Sequence, residues 1–199
     1  MSIRGVFLIL VASCGGAPAP MTPVAAAPPS GIVITESALG PITATTPASL
    51  VALRQVLAGY DVRPIQRGGL EYQVFKDGEP MFSVIPDEAG QIFNIHVVSP
   101  KVTVARRPWK VGAAFTDAAA LTACDCWGGQ PVCFKKGEHV AIAFDRTCRG
   151  LTEPRSRKAL EGLTIARTIW NPKPFGDGND GFGDDQHGGD YDEPPDDAP

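Results

Sequence analysis

Between residues 31 and 170 the chain alternates short apolar runs with turn residues, and the spacing of the apolar positions changes from segment to segment. Ile32-Val33-Ile34-Thr35 is β-branched and reads as a strand, with Leu39-Gly40-Pro41-Ile42 as a tight turn after it. Leu50, Leu53, Val56 and Leu57 recur at helical spacing, which predicts a helix capped by Thr46 or Ser49 and ended near Ala58 by Gly59. Residues 70–75 and 81–85 then read as strands flanking a glycine-containing hairpin loop, and residues 92–98 form a further strand after the turn at 87–90.

The second half repeats this order in outline. Residues 111–121 read as a helix, residues 132–134 and 139–144 as strands around Lys135-Lys136-Gly137, and residues 163–170 as a closing strand. A helix followed by three strands, occurring twice, predicts an α+β fold: one antiparallel sheet carrying two helices, built as a helix-plus-three-strand pseudo-repeat. Residues 149–161 form a polar insertion with a helical turn around 158–160.

The N-terminal pattern is of another kind. One positive charge at Arg4 precedes the apolar stretch 5–11 and then small residues up to Cys14. A membrane-spanning helix needs about 20 apolar residues, so this shorter run reads as the h-region of an export signal. Val11-Ala12-Ser13-Cys14 resembles the bacterial lipobox, in which the cysteine is lipidated and becomes the mature N-terminus. The competing reading is a secretory signal cut near Ala17-Pro18-Ala19 with Cys14 incidental; the position of Cys14 directly after the apolar run favours the lipobox. Gly15, where an Asp would signal retention, implies outer-membrane anchoring through Cys14 in a two-membrane cell. Residues 15–30 are rich in Pro, Ala and Gly without charge, the composition of a tether. The expected organisation is a signal at 1–13, a lipidated tether at 14–30, one domain at 31–172 and an acidic tail at 173–199.

Charge sharpens that division. The 199 residues are 43% hydrophobic, which excludes full disorder, collagen and a multispan membrane protein. The formal net charge of −4 describes no part of the chain. Residues 174–199 hold nine Asp or Glu and no Lys or Arg, whereas the remainder has 18 basic residues against 13 acidic ones. A mildly basic body therefore carries a polyanionic tail.

Several of these features together resemble the RpoE-regulated lipoprotein family. The lipobox, Ile34-Thr35 leading to Leu39-Gly40-Pro41-Ile42, Gly59-Tyr60, the strand at 92–99, Lys110-Val111-Gly112 with Phe115, the cysteines after Leu121 and the ending 164–170 carry the resemblance. It spans about residues 31–171, and its motifs are structural rather than catalytic. It implies a bacterial envelope protein with an α+β domain, no assigned molecular activity and expression tied to envelope stress. The acidic tail and some of the cysteines depart from the family pattern.

With Cys14 given to lipid, Cys124, Cys126, Cys133 and Cys148 remain, an even number in an exported chain, and disulfides are expected. Four cysteines allow three pairings. The segment 127–132 reads as a turn joining Cys126 to Cys133, which would leave Cys124 with Cys148. The rivals are a zinc site built from Cys124, Cys126 and Cys133 with His139 or Cys148, and a catalytic Cys133–His139 pair. Cys-x-Cys is not the usual spacing of a zinc knuckle.

The remaining chemistry is sparse. His96 is expected on the wetter face of its strand, His139 at a strand start and His187 in the tail. Residues 176–185 look like a fragment of a calcium-binding Gly/Asp repeat, but one copy has no neighbour to stack on. Trp109 beside Arg106-Arg107 reads either as a glycan, lipid A or nucleic-acid patch or as a core tryptophan; envelope location argues against nucleic acid. No nucleophile elbow, phosphate loop or metalloprotease motif occurs. The expectation is a non-catalytic, lipid-anchored outer-membrane protein without cofactor, contacting an envelope protein or glycan, with a zinc- or calcium-binding protein or an enzyme using the 124–148 region as the alternative.

Overall fold

A computed structural model describes residues 31–148 and 159–176. Cys14, the tether, most of the polar insertion, His187 and the acidic tail from Asp177 lie outside the described residues.

The first elements follow the apolar pattern. β1 (Val33–Ile34), β2 (Ala38–Leu39) and β3 (Ile42–Thr43) form a short antiparallel meander. Gly40, at φ +55, makes the β2–β3 turn possible, since a side chain is rarely accommodated there. α1 (Leu50–Val56) starts at Ser49, whose side chain accepts a hydrogen bond from the Ala52 N–H. Leu53 and Leu57 turn inward and are buried.

Beyond α1 the architecture is almost entirely strand. β4 (Asp61–Gln66), β5 (Leu70–Lys76), β6 (Glu79–Pro86) and β7 (Ile92–Val97) form one antiparallel meander. β8 (Thr103–Val104) runs parallel to β1 and completes the small sheet in the order β3-β2-β1-β8. β9 (Ala123–Trp127), β10 (Gln130–Phe134), β11 (Val140–Phe144) and β12 (Ile165–Trp170) form a second meander. The two meanders meet through their last strands, β7 against β12, giving one eight-stranded sheet in the order β4-β5-β6-β7-β12-β11-β10-β9. Each half thus supplies four strands, not three.

The expected α+β class with two helices is overturned: the protein is mostly β, with two sheets and a single α-helix among the described residues. The second predicted helix fails because its backbone groups are engaged elsewhere. The N–H groups of Gly112 and Phe115 donate to the carbonyls of Ile165 and Leu163, at 2.9 and 2.8 Å, and Ala114 forms a β-bridge with Thr164. An i→i−4 ladder cannot form across residues whose donors are committed to another segment. Phe115 is drawn into the core by the same pairing, and only Ala118–Ala120 coils, as one 3-10 turn without a side-chain cap.

One face of the large sheet packs with the small sheet, α1 and Phe115 into the main core, which includes Val74, Phe82, Ile95, Ile142 and Trp170. Trp170 Nε1–H donates to the Thr35 carbonyl across the junction of the two sheets. The other face carries a smaller cluster of Val132, Phe134, Ala141, Ala143 and Ile169 beneath Phe175. Phe175, which a domain boundary at 172 puts in the tail, is fully buried.

Candidate functional site

A cleft of about 460 Å3 opens where the loop after β1, the turn after β8 and the start of β11 converge. Ile34, Val104 and Val140 form its apolar floor, and Glu36, Ser37, Arg106, Arg107, Trp109, Glu138 and His139 supply its chemistry. The sequence reason for this convergence is the β1–β8 pairing, which sets Ile34 beside Val104 and brings two loops to one end of the small sheet.

Arg107 is held by its surroundings. Its Nη2 donates to both carboxylate oxygens of Glu138, at 2.7 and 3.0 Å, Asp117 lies 3.7 Å from Nη1, and the guanidinium sits 5.0 Å from the centre of the Trp109 ring. A two-point guanidinium–carboxylate contact fixes orientation as well as charge. Glu138 is also bonded by Lys135 Nζ at 2.9 Å. Arg106 differs sharply from its neighbour. It adopts φ +59, it is exposed, and among the described residues it has no hydrogen-bond or ion-pair partner. His139 is anchored through Nδ1 to the Asn171 carbonyl at 2.8 Å. Trp109 is buried in the cleft wall, so its ring is no open stacking platform for a sugar, and among the described residues its Nε1 has no hydrogen-bond partner.

The fold resembles that of YfeY, an uncharacterized protein of Escherichia coli. The solved YfeY structure matches with a TM-score of 0.52 and 20% sequence identity, over 69% of this chain and 98% of YfeY. Identity at that level shows a shared fold. No protein family profile matches the sequence, and no curated relative matches it.

The four cysteines beyond Cys14 are paired as Cys124–Cys133 and Cys126–Cys148. The expected Cys126–Cys133 and Cys124–Cys148 bridges are absent, because the turn between β9 and β10 is shorter than the segment 127–132. Gly128 and Gly129, at φ +56 and +81, form a two-residue hairpin turn that only glycine-like backbones allow. That turn sets Cys133 directly opposite Cys124 and places Pro131 opposite Cys126. Cys126, on the sheet edge, then reaches Cys148 instead. Both bridges consume the sulfurs that a zinc site or a Cys133 nucleophile would need, and Cys133 is fully buried. Among the described residues no cluster of three or more His, Cys, Asp or Glu is arranged to hold a metal.

His96 lies on the face of β7 away from the main core, opposite Ser83 and Ile169. Water has less access there than strand alternation implies. Burial, with the Arg167 charge adding to it, lowers the His96 pKa from 6.5 to about 4. Arg167 donates to Gln130 Oε1 at 2.5 Å and is itself lowered by burial. His96, within β7, and His139, in the turn before β11, are in separate places, and among the described residues only His139 of the two is anchored by a hydrogen bond to a backbone carbonyl. The feature that sequence reasoning passed over is the difference between Arg106 and Arg107. The signal available was Glu138, the carboxylate that claims only one of them.

Proposed function

We propose that the chain is an exported bacterial envelope lipoprotein, anchored to the outer membrane through Cys14, whose β domain is a binding module and not an enzyme. The observation that carries this reading is the fixed Arg107–Glu138–Lys135 group beside the unpartnered Arg106. A preorganised wall with one open cation suits recognition of an anionic group on another molecule. The two disulfides support residence in an oxidising compartment. The lipobox and the resemblance to RpoE-regulated lipoproteins support the envelope role.

Two measurements test it. A Cys14→Ala variant leaves the membrane fraction; continued sedimentation with membranes would overturn the anchor. For the cleft, a photocrosslinking residue in place of exposed Ser37 gives a discrete adduct in intact cells that an Arg106→Gly background loses, while the same probe at Arg67, in the β4–β5 turn, gives none. Equal labelling from both positions would overturn the binding role.

A further inference from the structure

We propose that the cleft has an occupant supplied by the chain itself: the acidic segment 177–199 docks there in cis and competes with any external anionic ligand. This rests on the reading of the cleft as a binding surface and specifies the chemistry it takes, an extended polyanionic peptide.

The point where the described chain ends carries the first part of the argument. The Phe175 N–H donates to the Glu138 carbonyl and the Gly137 N–H donates to the Phe175 carbonyl, both at 2.9 Å. The Phe175 ring is buried and stacks on Phe134 with centroids 5.2 Å apart. Residue 176 is thereby fixed against the turn between β10 and β11, so closely that a Cβ there would lie 2.9 Å from Lys136 Cγ. That turn leads directly into Glu138 and His139, which line the cleft. Segment 177–199 accordingly leaves the body beside the turn that precedes the cleft residues Glu138 and His139, from the Phe175 face of the large sheet.

Charge supplies the second part. Arg106 in the cleft, Lys136 at the exit turn and Lys110 close by in sequence have no carboxylate partner among the described residues. Glu36 is the lining carboxylate that opposes them, since Glu138 is shared between Arg107 and Lys135. Segment 177–199 brings nine carboxylates and no Lys or Arg, with Asp177, Asp180, Asp184 and Asp185 among its first nine residues. Nine extended residues span roughly 30 Å, ample to cross a cleft of this size. A tethered segment sees its site at an effective concentration in the millimolar range, so individually weak contacts suffice. Such contacts are electrostatic and are screened by salt.

The test uses the full chain with a benzophenone amino acid in place of Phe182, irradiated at low protein concentration. The expected product is an intrachain crosslink, in the monomer band, to residues 34–37 or 104–109. Its yield drops at least about tenfold in Arg106→Gly and in a chain whose nine tail carboxylates are replaced by amides, and it falls severalfold in about 0.5 M salt. Glycine accepts φ +59, so Arg106→Gly removes the charge while keeping the turn. Crosslinks that map elsewhere, that appear only between two copies, or that persist unchanged in both variants would overturn the proposal. A Ser37 adduct with an envelope component but no tail crosslink leaves the binding role standing and removes the tail from it; a tail crosslink without the adduct does the reverse.

Discussion

Arg107 and Glu138 stand 31 residues apart in sequence and meet through two hydrogen bonds, with about a quarter of each side chain exposed. The contact ties the turn after β8 to the turn before β11, and so joins the small sheet to the second meander. Half-buried two-point pairs are worth more than exposed ion pairs, which typically give under about 1 kcal/mol. Arg107→Ala is expected to cost about 1–2 kcal/mol, including the lost contact with the Trp109 face, whereas Arg106→Ala costs little. Urea midpoints at unchanged slope compare the two; equal costs would contradict the assignment.

His96 predicts an acid sensitivity of definite sign. Its folded pKa of about 4 lies below its ordinary value of 6.5, so the folded state favours the neutral ring. Unfolded chains take up the proton first as pH falls. Stability from this group is complete above about pH 6.5 and is lost progressively down to about pH 4, by about 3 kcal/mol at most. The comparison is between wild type and His96→Gln, which cancels the carboxylates common to both. A stability difference that stays constant from about pH 7 to about pH 4 would refute the assignment.

The disulfides predict unequal losses. Their sequence separations are 9 and 22 residues, and loop-closure entropy assigns roughly 2.5 kcal/mol to Cys124–Cys133 and roughly 3.5 kcal/mol to Cys126–Cys148. Paired Cys→Ser variants measured by denaturation check the order. Cleavage before Asp125 and Asp145 without reduction checks the pairing: the three resulting fragments remain linked together. Recovery of the 125–144 fragment free of both neighbours would exclude this connectivity.

Ser49 offers a local test. Its Oγ accepts from the Ala52 N–H at 3.3 Å and satisfies one of the orphan donors of α1. Ser49→Ala is expected to lower stability by about 1 kcal/mol, and Ser49→Asp to retain it. Equal losses in the two variants would show that the cap contributes through packing instead.

The strands that sequence alternation reveals are those with neighbours on both sides. β5, β6 and β7 have apolar residues pinned against the core, and their patterns are plain, while β11 reads as a continuous apolar run because both its faces are buried. The edges are not. β4 buries one side chain, Val62, and contains Pro64, which an edge strand tolerates and a central one does not. β9, Ala-Cys-Asp-Cys-Trp, carries no apolar alternation because its cysteines supply the cross-links. The segment 111–121 has helix-compatible composition, and only its long-range pairing with residues 162–165 decides its conformation. In the cleft, Arg106-Arg107 is visible as a doublet, but which arginine is free depends on a carboxylate 31 residues away.

The seam between β7 and β12 has a consequence for how the molecule comes into being. Thr168, Ile169 and Trp170 pair with Val97, His96 and Ile95, more than 70 residues earlier. A chain produced or threaded from its N-terminus completes its first meander long before the partner of β7 emerges. During that interval β7 presents a bare edge of unpaired N–H and C=O groups, the template on which strands of other molecules dock. Final closure waits for β12, so the interval of greatest aggregation risk is set by the time needed to deliver the second meander.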